Sequence, residues 1–206
     1  MIALLLVSSL IPAHALAQSH SRHRTRSRPR VTTPATPKEA ETPATRPSPD
    51  ETVAQALRRL AATKPEKLSR ENLAWRCGLE FLVAIGPKDT GRISAVLDAV
   101  GYQPLPLDGP LPDEPARPLT AQALVEAASR LRMPNFEEYS VGKLELLSAK
   151  KLRPEFDAVA SWMLEGDVAL VVRDAARPGA KAGCVVIRVR GRRATILGGN
   201  LLAAFK

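Results

Sequence analysis

The sequence predicts an α+β domain: a helical N-terminal part packed on a small C-terminal antiparallel sheet, preceded by a signal peptide and a disordered tail. Two observations lead there. Apolar residues recur at helical spacing from Val53 to Met163, and the period drops to two only from Asp167 onward, where the segments are short and β-branched. The strands therefore follow the helices instead of alternating with them, unlike a doubly wound α/β chain.

The chain divides into three stretches. Met1 to Ala17 is an apolar run ending in Ala15-Leu16-Ala17, a small-x-small cleavage signal before Gln18, and reads as a secretory signal peptide although its first residues include no Lys or Arg. Pro12 and His14 interrupt the run, which is shorter than the roughly 18 residues a spanning helix needs. No later run reaches that length. An exported protein, periplasmic or extracellular, with no transmembrane segment after signal removal is therefore expected.

Residues 18–50 form a basic, Pro/Thr-rich linker with Pro34, Pro37, Pro43, Pro47 and Pro49 among Thr, Ser and Ala. Such a composition buries too little apolar surface to offset the entropy of ordering, so disorder or partial polyproline II is expected. Arg22, Arg24, Arg26, Arg28 and Arg30 occupy every second position. An extended arm of that kind can track a polyanion with salt-sensitive binding, or it can be a solvated tether with no particular partner. No aromatic residues are interleaved for base stacking, and nucleic acid is not an expected partner.

Residues 51–206 are expected to form a single globular domain of about 150 residues, enough for one core. Asp50 or Thr52 caps a first helix with Val53, Ala56, Leu57 and Leu60 on one stripe, ending before Pro65. Ser69 starts a second helix, to Ile85, whose apolar residues lie nearly all round. That makes it the central, buried helix, stopped by Gly86-Pro87. A third runs from about Thr90 to Val100 and ends at Gly101.

The six prolines between Gln103 and Pro118 predict an irregular surface loop. Thr120 caps a helix through Leu131, Leu144 to Leu152 reads as another, and Pro154 opens one that ends at Gly166. Asp167 to Arg173 is a strand. A loop with Pro178 and Gly179 then leads to a hairpin in which Val185, Ile187 and Val189 alternate toward one buried face, Gly191 makes the bend and Ala194 to Leu197 returns.

Composition excludes several chemistries. The net charge of +9 favours anionic neighbours, and with 4% aromatic residues the core must be built from Leu, Val and Ala. The three histidines, His14, His20 and His23, all precede the domain. A Ser-His-Asp or Cys-His arrangement within the domain and a histidine-based metal site are therefore not expected, nor is any cofactor, since no glycine-rich phosphate loop is present. Carboxylates such as Glu137 and Glu138 read as solvated surface, and Trp75 and Trp162 as core.

Trp75-x-Cys77 at a helical run, the strand Gly166-Asp167-Val168-Ala169-Leu170-Val171, then Gly183-Cys184-Val185 and Leu197-Gly198-Gly199-Asn200 together resemble the CHAP family of cysteine, histidine-dependent amidohydrolases and peptidases. The resemblance spans roughly Leu73 to Asn200. It implies a papain-like fold in which a helix bearing the nucleophile packs on an antiparallel sheet bearing the base, and peptidoglycan amide bonds as substrate. It places the nucleophile at Cys77, the orienting residue at Asn200 and the base at position 184, where this chain has Cys in place of His. An arginine also separates Trp75 from Cys77. Without an imidazole there is no base to form the thiolate and no acid for the leaving amine, so the resemblance implies a degenerate, non-catalytic member.

The same resemblance implies that Cys77 and Cys184 lie close enough for a disulfide. The even cysteine count of an exported chain points to that bridge independently. Gly-Gly-Asn is also, on its own, simply a turn needing positive φ. The expected function is an exported cell-envelope domain, non-catalytic, binding peptidoglycan or another anionic wall polymer. The alternatives are an active cysteine-dependent peptidoglycan amidase and a polyanion-binding protein acting through its Arg-rich arm.

Overall fold

A computed structural model describes residues 46–173 and 182–206. The expected signal peptide, the Arg22 to Arg30 run and the loop at Pro178 lie outside the described residues. Of the expected linker, residues 46–50 are described, and they belong to the fold: Pro47 is buried, the Pro49 carbonyl accepts from Gly142 N–H at 3.1 Å, and the Arg46 guanidinium lies 5.8 Å from the Trp75 ring centroid. Proline-rich composition hid this, because the contacts are made to residues distant in sequence.

The helical half forms much as its sequence dictates. Helix α1 (Val53–Ala62) opens on Thr52, whose hydroxyl accepts from Gln55 N–H while the Gln55 side chain returns the bond to Thr52 N–H, a complete capping box. Helix α2 (Arg70–Ile85) is capped by Ser69 and buries its whole circumference except Arg70, Glu71, Arg76 and Glu80. Each fully buried Leu, Val or Phe of such a helix contributes about 1.5–3 kcal/mol relative to exposure, so α2 is the axis of the core. Gly78 is what lets it lie on the sheet: a Cβ there would come within 2.7 Å of Leu170 Cδ2.

Helix α3 (Thr90–Val96) is shorter than expected. From Leu97 the chain becomes extended and bridges to Ile196, with Asp98 N–H donating to the Ile196 carbonyl at 2.9 Å, so Val100 is left 76% exposed instead of facing inward. Strand β1 (Gln103–Pro104) follows. Helix α4 (Ala121–Ser129) is capped by Thr120, as its sequence implies.

The expected helix over Leu144 to Leu152 is not formed as one element. Leu144–Ser148 is a strand, β2, and only Ala149–Leu152 is helical, α5. Helix α6 (Asp157–Trp162) starts after Pro154, which sits in the turn leaving α5. Strands β3 (Val168–Val172), β4 (Gly183–Arg190) and β5 (Arg193–Gly199) and a last helical turn, α7 (Leu201–Ala204), complete the described chain.

The sheet is five-stranded, in the order β1-β5-β4-β3-β2. It is α+β, as predicted, but mixed instead of antiparallel throughout, because β1 pairs parallel with β5 through Gln103 opposite Gly198 and Pro104 opposite Gly199. The hairpin turns on Gly191, at φ 58°, with Arg190 opposite Arg193. Contrary to the expectation of one buried face, both faces are covered. Leu170, Val172, Val185, Ile187 and Val189 pack under α1–α4, whereas Ala169, Val171, Cys184 and Val186 pack against Leu152, Phe156, Val159 and Met163 of the α5–α6 region. That second layer is short in sequence, and its helices are too brief to announce themselves by periodicity.

Candidate functional site

Strand alternation decides what the three singled-out residues can do together. Along β4, Val185 and Ile187 point toward α2, so Cys184 and Val186 point away from it. Cys77, on α2, is buried in the first apolar cluster, and Cys184 in the second, with the sheet between them. Both are free thiols. The expected Cys77–Cys184 disulfide is therefore not formed, since two side chains on opposite faces of a sheet cannot meet without rebuilding the backbone.

Cys184 and Asn200, by contrast, are brought together. Asn200 Oδ1 accepts the Cys184 backbone N–H at 2.8 Å and lies 3.3 Å from Cys184 Sγ, and Asn200 N–H donates to the Cys184 carbonyl at 3.0 Å. Two glycines make this approach possible. A Cβ on Gly199, whose φ is 146°, would sit 2.2 Å from the Cys184 carbonyl oxygen, and one on Gly198 would sit 2.2 Å from that of Gln103. Asn200 stands at the N-cap position of α7 but makes no cap bond, because its side chain is committed to Cys184.

Neither thiol is prepared for nucleophilic chemistry. Burial pushes Cys184 up to about 12, against a smaller downward pull from the Asn200 backbone N–H. Burial, helped by the Glu80 carboxylate, pushes Cys77 up to about 12 as well. Both thiols stay protonated at neutral pH, and no histidine occurs after His23 to accept a proton. Among the described residues no group of three or more His, Cys, Asp or Glu could hold a metal ion.

Cys77 does line a cleft, of about 420 Å³, and its surroundings are cationic: Arg76, Arg92, Arg192 and Arg193 border it along with Glu80. A second cleft, of about 230 Å³, adjoins it through Arg193 and is lined by Arg188, Arg190, Asp98 and Thr195. Three of these arginines are spent on structure. Arg92 Nε is 2.7 Å from Glu80 Oε1, Arg188 pairs in bidentate fashion with Asp167 at 2.8 and 2.7 Å, and Arg192 donates to the Leu68 carbonyl at 3.1 Å. The side chains of Arg76, Arg190 and Arg193 make no hydrogen bond or ion pair among the described residues.

No protein-family model, curated protein or solved structure matches this chain. The arrangement must therefore be read from its own chemistry. The arginine cluster was not singled out from sequence, although its signal was present in Arg190-Gly191-Arg192-Arg193, four residues that carry three cations across a hairpin turn. Arg76 carried no such signal, because only the packing of α2 under the hairpin brings it there.

Proposed function

We propose that this chain is a non-catalytic binding protein of the cell envelope that holds peptidoglycan or another anionic wall polymer at the tip of the β4–β5 hairpin. The observation that carries this reading is that Arg76, Arg190 and Arg193 line two adjoining clefts and have no acidic partner among the described residues. A guanidinium without a partner keeps its planar fork of donors free for a carboxylate or phosphate, which it binds in bidentate geometry. The leader-like Met1 to Ala17 supports export, and the Arg22 to Arg30 run would add charge to the same attraction.

The reading as an active thiol amidase draws no such support. Both thiols are buried and pushed up to about 12 by that burial, and the residue that touches Asn200 is Cys184, while Cys77 lies across the sheet.

Co-sedimentation of the secreted protein with purified peptidoglycan at increasing salt tests the proposal. Binding should weaken as salt rises, and the triple variant Arg76→Ala, Arg190→Ala, Arg193→Ala should bind less and with a shallower salt dependence. Binding by the triple variant equal to that of the parent would remove the hairpin from the proposal. Loss of all binding on deleting residues 18–30 alone would move the function to the arm.

A further inference from the structure

The two edges of the sheet end differently. At β1 the edge is closed: Tyr102 and Leu119 exchange backbone hydrogen bonds at 2.8 Å in both directions, the Gln103 side chain donates to the Ala116 carbonyl at 2.8 Å, and Pro104 has no amide to offer. At β2 the edge is open. The Arg173 N–H donates to the Lys143 carbonyl at 3.0 Å, and in the register that runs on from there, Leu144 opposite Val172 to Ser148 opposite Val168, the backbone groups of Glu145 and Leu147 face β3. Those of Leu144, Leu146 and Ser148 face outward. The Leu144 N–H turns back to the Val141 carbonyl. The Leu144 carbonyl, both groups of Leu146 and the Ser148 N–H make no hydrogen bond among the described residues. Natural edges are commonly blunted by Lys, Pro or a bulge, and Leu-Glu-Leu-Leu-Ser has none of these. Donors and acceptors alternating in a row at strand spacing fit one kind of partner, another extended backbone.

A cleft of about 700 Å³ beside this edge selects the side chains such a strand carries. Ala74, Leu146, Val168 and Val189 give it apolar walls. Its two carboxylates are committed, Glu71 at 3.4 Å from Arg46 and Glu145 at 3.3 Å from Arg173. Its other cations are not balanced. Arg70 gives one hydrogen bond to the Gly166 carbonyl, at 3.0 Å, and the Lys151 side chain makes no hydrogen bond or ion pair among the described residues.

We propose that β2 is the docking edge for an extended acidic segment of a partner protein, which adds antiparallel to β2 and turns a Glu or Asp side chain into the cleft toward Lys151 and Arg70. In antiparallel pairing the residue opposite Leu146 exchanges both backbone bonds with it and carries its side chain on the same face, the face on which Leu146 lines the cleft. A neutral or basic segment would leave Lys151 and Arg70 unbalanced. The net charge of +9 opposes a second copy of the chain at this edge. The cleft shares no residue with the arginine clefts at the hairpin tip, and the proposal does not rest on the envelope-polymer reading.

An NMR titration of the full chain with the capped pentapeptide acetyl-Thr-Val-Thr-Glu-Thr-amide tests this. The Leu146 and Ser148 amide signals should shift saturably, and the peptide with Gln in place of Glu should bind several-fold more weakly. Lys151→Glu should weaken binding of the Glu peptide about tenfold. Methylating the Val and Glu amides of the peptide, which face β2, should abolish binding, whereas methylating the middle Thr amide, which faces away, should not. Ser148→Pro removes an outward donor at φ −76°, a value proline adopts, and should weaken binding several-fold at an unchanged thermal midpoint. The proposal is overturned by absence of saturable shifts at these amides, by equal binding of the Gln peptide, by binding indifferent to which amides are methylated, or by full binding to both Lys151→Glu and Ser148→Pro. A concentration-dependent dimer that buries β2 would overturn it in favour of a second copy. Peptide binding that appears only after deletion of residues 18–45 would overturn it in favour of the chain's own tail.

Discussion

Asn200 Oδ1 holds the Cys184 backbone N–H at 2.8 Å and the Cys184 thiol at 3.3 Å, and so ties the start of β4 to the end of β5 inside the protein. Asn200 is 1% exposed and Cys184 is fully buried, so no water replaces the amide if it is removed. Asn200→Ala should therefore cost about 1–3 kcal/mol, the penalty for a buried donor left unmet, read as a drop in urea midpoint at unchanged m-value.

The two thiols make a prediction about pH and one about chemistry. Their ordinary value near 9 is raised to about 12 in the folded chain, so between these limits the unfolded state sheds protons that the folded state keeps. The stabilisation is complete below pH 9 and is lost as pH rises toward 12, so chemical-denaturation stability should fall across that window. A Cys77→Ala, Cys184→Ala variant should lose part of that decline. At neutral pH, without reductant, alkylation of the native protein should be slow, and denaturant should release two titratable thiols. Finding none would restore the disulfide.

Gly198 and Gly199 are constrained for different reasons, and both should resist alanine. At Gly198 the methyl meets the Gln103 backbone, which would part β1 from β5; at Gly199 it meets the Cys184 carbonyl at a φ that side chains avoid. Each Gly→Ala change should destabilise by about 2 kcal/mol or more, and hydrogen exchange should show the loss concentrated at Gln103 and Leu105 for Gly198→Ala.

Asp167 is 4% exposed and holds both Arg188 and the Leu164 N–H. Arg188→Ala leaves that carboxylate buried without its cation. The expected cost is about 2 kcal/mol, below the roughly 3–5 kcal/mol of a fully buried pair because Arg188 keeps 22% of its side chain in water. The double variant Arg188→Ala, Asp167→Ala should recover part of it, measured as a thermodynamic cycle.

Legibility from sequence followed the range of the interactions. The capped helices α1, α2 and α4 and the β4–β5 hairpin were all readable, because capping side chains, a 3.6-residue stripe and a glycine turn are local. Leu144–Ser148 was not, because Leu-Glu-Leu-Leu-Ser suits a helix as well as a strand, and only pairing with Val168–Val172 selects the strand. Val100 was misplaced for the same reason: the parallel bridge from Leu97 to Ile196 ends α3 early.

The candidate site divides along the same line. By itself the sequence determined an α+β fold, a domain without histidine, and a hairpin rich in arginine, all of which follow from composition and short-range pattern. Which face each cysteine occupies was left to the tertiary structure, because alternation along a strand tells which residues share a face but not what is packed there. The short α5–α6 layer supplied the missing cover, drew Cys184 away from Cys77, and left Asn200 as the partner of a buried thiol.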